Sequence, residues 1–223
     1  MTTPREGHAT LSIRHPGDPS VHFLYAFGGR DDEGDALDTY EYATVTVAAD
    51  GTHVLGEWME GLQRLSIARS ELGAWALTPD DTSAVPEGEV WVYVGPGRGA
   101  GQAMTRVEAA RLDTLVNPGE LEAFGNTTAT GAGGRAGYGF GASSGWLFLF
   151  GGQGGEASSG TLKNEVCATD VGCLTFPTWT ATGTNMSEER VLMGSTEESA
   201  FFFVAGGSSG TEEATSTVDR TVK

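Results

Sequence analysis

The sequence predicts an all-β fold built from repeated four-stranded antiparallel units, and three recurring markers carry that prediction. Four short aromatic and aliphatic runs, at residues 22–29, 90–97, 146–152 and 201–207, each close on glycines. Their first glycines, Gly28, Gly95, Gly151 and Gly206, are 67, 56 and 55 residues apart. A large aromatic then follows: Trp58, Phe124 and Trp179 lie 30, 29 and 28 residues after the first three of these glycines. Eleven residues after each aromatic comes an arginine, at Arg69, Arg135 and Arg190, while Arg5 precedes Gly28 by 23. Self-similarity at such a period is the mark of a repeat architecture.

The segments between markers read as strands. Thr44-Val45-Thr46-Val47 is β-branched throughout, and the runs before the glycines are of strand length. Asp50-Gly51, between 40–48 and 52–58, is a hairpin signal, because both residue types tolerate the positive φ of a tight turn. Residues 65–68 alone look helical, and they lack both cap and length. Each repeat therefore offers one strand after the arginine, one ending in the glycines, and a hairpin ending at the aromatic. In the second repeat these are about 72–77, 90–94, 104–109 and 121–124. Four antiparallel strands in roughly 55 to 65 residues describe a blade of a β-propeller. Blade 1 is expected over about 5–60, blade 2 over 69–124, blade 3 over 135–180 and a partial blade 4 over 190–223.

With these residues in view, the chain resembles the kelch β-propeller family. Pro4-Arg5-Glu6-Gly7-His8-Ala9 is similar to that family's arginine-containing blade start, and Leu24-Tyr25-Ala26-Phe27-Gly28-Gly29 to its hydrophobic strand closed by a glycine pair. Ala48-Ala49-Asp50-Gly51 through Gly56-Glu57-Trp58 resembles the hairpin and tryptophan of kelch-like blades in bacterial surface proteins. The second repeat departs, with Gly95-Pro96-Gly97 for the glycine pair and Phe124 for tryptophan.

The markers read as structural without the family. Glycine pairs (Gly28 and Gly29, Gly95 and Gly97, Gly151 and Gly152, Gly206 and Gly207) permit positive φ and close approach. The aromatics are expected to fill the widening wedge between blades. The arginines are expected to snorkel between blades and hydrogen-bond loop carbonyls. Continuing the spacing past Gly206 puts a fourth aromatic near position 234, beyond Lys223, so about three and three-quarter blades are expected. The expectation is a segment of a ring of six or seven blades, or a small protein whose open edges pair with another chain.

Composition narrows the function. Thirty acidic against 13 basic side chains give a net charge of −17, which argues against nucleic acid and anionic membrane as partners. The longest apolar run, residues 200–205, is too short to insert in a bilayer. Residues 1–20 are polar and carry no apolar core of a secretion signal. Cys167 and Cys173 flank an expected hairpin turn and read either as a disulfide of an exported protein or as two thiols. His8, His15, His22 and His53 lie near no nucleophile, and no copper-oxidase or sialidase constellation can be placed, so no catalytic residue is expected.

The densest polar cluster is Asp31-Asp32-Glu33-Gly34-Asp35 with Asp38. It reads as a solvated acidic loop, with Asp31, Glu33 and Asp35 as the alternative ligands of a calcium ion. The corresponding loops at 98–102, 153–160 and 208–213 share its rim, so Asp31, Asp32, Glu33, Asp35, Asp38, Arg98 and Gln153 are the candidate binding residues. Three functions are in view. The first is a non-enzymatic propeller that presents rim loops to a protein or glycan, on a cell surface or secreted. The second is a segment of a kelch-type carbohydrate oxidase or sugar isomerase whose catalytic residues lie elsewhere. The third is an assembly component that uses its open edges, for self-association or to meet further blades.

Overall fold

The structure, a computed structural model, describes residues 1–129, 134–154, 158–165, 173, 179–198, 201–209 and 214–222. The chain is all-β, and among the described residues there is no helix. A first sheet runs β1 (Ala9–Arg14), β2 (Val21–Phe27), β3 (Tyr40–Val47) and β4 (His53–Glu60), each strand antiparallel to the next. The second sheet orders β5 (Ala74–Leu77), β6 (Trp91–Val94), β9 (Arg106–Arg111) and β10 (Gly125–Ala129), with a ribbon of β7 (Arg98–Gly99) and β8 (Gln102–Ala103) in its β6–β9 connection. The third comprises β11 (Gly139–Ser143), β12 (Trp146–Phe150), β13 (Ser158–Glu165) and β14 (Thr180–Arg190). The fourth has three strands, β15 (Gly194–Glu198), β16 (Phe201–Ala205) and β17 (Val218–Val222).

Local chemistry explains these elements. At the first hairpin Gly51 takes φ +83°, and the Asp50 carboxylate accepts the Thr52 N–H at 2.9 Å. Within β6 side chains alternate: Val92 and Val94 bury against the first sheet, while Tyr93 buries against the third. A strand covered on both faces accounts for the unbroken apolar run 90–94. Apolar clusters thus lie between successive sheets. Tyr25, Phe27 and Tyr40 meet Val92 and Val94; Trp75 and Tyr93 meet Leu147 and Trp179; Phe150 and Met186 meet Phe202 and Val204.

The first strands of the four sheets are neighbours in sequence order: β1 touches β5, β5 touches β11, and β11 touches β15. A repeated backbone feature ties them. Two residues after each marker arginine stands a residue in the left-handed region: Gly7 (φ +59°), Glu71 (+54°), Gly137 (+63°) and Leu192 (+56°). The Glu71 N–H donates to the Gly7 carbonyl at 2.7 Å, Gly137 to Glu71 at 2.9 Å, and Leu192 to Gly137 at 2.6 Å. Among the described residues the sheets form a row joined by this belt and no closed barrel.

The strand expected at 121–124 is corrected: the outer strand of the second sheet is Gly125–Ala129. The Asp113 carboxylate accepts N–H bonds from Leu115, Val116 and Asn117 and coils the connection, while the Leu121 N–H is drawn to the Tyr40 hydroxyl. In the third sheet, likewise, β14 begins just past Trp179. The aromatics still keep register, since Trp58 faces Ala43, and Gly125, next to Phe124, faces Ala109.

Candidate functional site

The marker arginines form one construction used four times. Each Nη1 donates to two carbonyls of its own sheet, that of the first marker glycine and one at the start of the third strand. Arg5 reaches Gly28 (2.9 Å) and Thr39 (3.1 Å), and Arg69 reaches Gly95 (3.0 Å) and Arg106 (3.1 Å). Arg135 reaches Gly151 and Gly160, and Arg190 reaches Gly206 (3.2 Å) and Thr217 (2.7 Å). Two residues beyond the second carbonyl a carboxylate completes the clamp: Glu41 for Arg5 at 3.1 Å, Glu108 for Arg69, and Asp219 for Arg190 at 2.7 Å. The guanidinium heads of Arg5, Arg69 and Arg190 are fully buried. This corrects the expectation of a snorkelling side chain lying between blades, because charge buried this deeply needs a partner.

The clamp carboxylates were missed, although a signal was present: Glu41, Glu108 and Asp219 each stand 13 residues after Gly28, Gly95 and Gly206. In the third sheet the 13-residue spacing fails: the residue two beyond the Gly160 carbonyl is Leu162, 11 after Gly151, and Arg135, which keeps its carbonyl bonds, is held below the usual arginine range by burial. Burial also opposes ionisation of Glu41. The N–H groups of Thr2 and Thr3, the Thr2 hydroxyl and Arg5 outweigh it and bring the carboxyl down to about 2.

The residues just past the marker glycines sit on the same end of every sheet, each bridged to the residue after a marker arginine. Arg30 pairs with Glu6, Arg98 with Ser70, Gln153 with Ala136, and Ser208 with Val191. Here the structure brings two predicted residues together and adds two. The Glu71 carboxylate accepts from Arg30 Nη2 at 3.2 Å and Arg98 Nε at 3.0 Å, and Arg98 Nη2 donates to Gln153 Oε1 at 3.4 Å. A partly exposed polar string therefore crosses from the first sheet to the third. Glu71 is held there in a left-handed conformation that non-glycine residues enter at a cost of roughly 1–2 kcal/mol. Strain of this kind at a partly exposed charged residue is a reason to look for function.

The acidic loop follows directly on Arg30 of that string. Asp31 Oδ1 accepts the N–H groups of Glu33 (3.1 Å) and Asp35 (2.9 Å), so its carboxylate shapes the turn. Asp38 pairs with Arg64 at 2.9 Å in solvent, and Asp32 stays within the loop. Among the described residues no three of His, Cys, Asp or Glu are grouped to hold a metal ion, so Asp31, Glu33 and Asp35 do not form the calcium cage considered above. Cys173 is buried and its carbonyl accepts from the Tyr93 hydroxyl at 3.1 Å, while Cys167, and with it the expected disulfide, lies outside the described residues. The loops at 153–160 and 208–213 are described only in part. Among the described residues no helix is long and apolar enough to cross a membrane. The chain matches no protein-family model and no curated relative.

Proposed function

We propose that this chain is a run of kelch-like β-propeller blades acting as a non-enzymatic binding module, exposed on a cell surface or secreted. The radial arrangement is supported by the belt of three hydrogen bonds through Gly7, Glu71, Gly137 and Leu192, which repeats one geometry from sheet to sheet. The single observation that carries the binding reading is the Arg30–Glu71–Arg98–Gln153 string. It offers planar donors and acceptors, partly exposed, on the end where four connections converge. Such groups recognise hydroxyl and amide ligands of a glycan or protein surface through directed hydrogen bonds. Surface exposure in an oxidising, extracellular setting fits a chain of net charge −17 with only Lys163 and Lys223 as lysines.

The test is a glycan array and a pull-down of extracellular proteins, each run with the wild type and with Arg98→Ala. The expected result is a ligand whose affinity falls at least tenfold in Arg98→Ala while the melting temperature holds, since this arginine's ion pair is partly exposed and worth little to the fold. Ligands that bind both proteins equally overturn the assignment of the rim.

A further inference from the structure

The outer strands of the first three sheets differ in kind. β10 and β14 hold mostly small and polar residues, whereas β4 holds Val54, Leu55, Trp58 and Met59 within eight positions. Among the described strands β4 pairs with β3 alone. It has neither the proline nor the lysine that commonly blunts such an edge. Val54 is 57% exposed and Met59 45%, although both lie on the face where Tyr42 packs toward the second sheet.

The register of β4 against β3 explains what this edge fits. Residues directly opposite across a ladder share a face. Val54 lies against Thr46 and Met59 against Tyr42, which puts both on one face. Leu55 against Val45, Trp58 against Ala43, His53 against Val47 and Glu60 against Glu41 share the other. A straight strand would split residues 54 and 59, or 55 and 58, between its two faces, because their separations are odd. The bulge removes that conflict: Gly56 and Glu57 stand together against the single Thr44.

We propose that β4 is the interface of a two-fold dimer, in which a second copy of this chain adds its own β4 antiparallel. The axis runs perpendicular to the sheet between Gly56 and Glu57. In that register Val54 faces Met59 of the other copy, Leu55 faces Trp58, His53 faces Glu60, and Glu57 faces Gly56. Every facing pair that avoids the bulge then lies on a common face, apolar against apolar and acid against histidine. Two-fold pairing uses the edge once in each copy, so assembly stops at the dimer. An eight-residue edge is small beside the roughly 1,200–2,000 Å² of a stable interface, so the dimer is weak and reversible. Each copy carries a net charge of −17, so salt strengthens it by screening their repulsion. The inference rests on strand register and does not depend on the rim.

Sedimentation of the chain over a range of concentrations tests it, with melting temperature as the control for folding. The expected result is a monomer–dimer equilibrium that shifts toward dimer from about 0.05 to about 0.5 M salt. Val54→Lys and Met59→Glu, changes at exposed positions, each weaken it at least tenfold. Together they set opposite charges at the facing positions and recover most of the loss. The axis also brings the two Glu57 side chains to diagonal positions, so Glu57→Gln tightens the dimer about two- to fivefold, the worth of a cross-strand pair. A wild type that stays monomeric, single variants that associate like wild type, a double variant no better than the singles, or a weaker dimer in Glu57→Gln overturns the proposal.

Discussion

Removing the Glu108 carboxylate is the sharpest perturbation of the arginine clamp. Both side chains of the Arg69–Glu108 pair are fully buried, and Glu108 also accepts the Ser66 N–H at 2.8 Å. Glu108→Ala leaves the guanidinium with the carbonyls of Ile67, Gly95 and Arg106 and no countercharge from Glu108, and it takes the Ser66 N–H's acceptor. Breaking a buried pair from one side costs about 3–5 kcal/mol. The lost acceptor adds about 1–3 kcal/mol. In a chain of this length each kcal/mol moves the melting temperature by about 2–4 °C, so a fall of about 8 °C or more is expected. Arg69→Met with Glu108→Leu removes both charges and recovers most of the loss, as a double-mutant cycle in urea followed by tryptophan fluorescence will read. A single variant within about 1 kcal/mol of wild type, or a double variant worse than the single, refutes the reasoning.

Three further outcomes follow from the same geometry. Glu41 is depressed from 4.5 to about 2, so it contributes stability above pH 4.5 that is lost as pH falls toward 2; acid titration of Glu41→Gln should show a flatter decline across that window than wild type. Gly28→Ala places a Cβ 2.4 Å from the Arg69 carbonyl at φ +57°, whereas Gly34→Ala, at φ +86°, meets open space. Both carry the left-handed cost of roughly 1–2 kcal/mol, and calorimetry should find the Gly28 variant clearly the less stable. Alkylation and mass spectrometry without reductant should find neither Cys167 nor Cys173 modified, as the expected disulfide requires; modification of both removes it.

Much of the scaffold was readable because its markers are bound to backbone geometry. Gly28 and Gly29 recur as Gly151 and Gly152 because positive φ is needed at each. The second repeat escapes that rule, yet Gly95 is still required, since a Cβ there would lie 2.3 Å from the Tyr138 hydroxyl. The clamp carboxylates were harder to see: Glu41 stands between Tyr40 and Tyr42 and Glu108 between Val107 and Ala109, and nothing local marks either as buried among 30 acidic residues. At the rim, Arg98 and Gln153 followed from loop position. Glu71 did not, because its place in the belt depends on a left-handed backbone that no residue type other than glycine announces. The acidic loop drew attention through charge density, but Asp31 uses its carboxylate within the turn. The outer strand of the second sheet was misplaced because Asp113 and Tyr40 capture backbone donors that local propensity assigns to a strand.

Amide hydrogen exchange at the left-handed residues tests most directly whether the sheets stand side by side around a common axis. The N–H groups of Glu71, Gly137 and Leu192 should be protected well beyond that of Gly7, which has no donor bond in the belt. Exchange of all four at the same rapid rate would mean that the belt does not exist and that the sheets are not joined in this order.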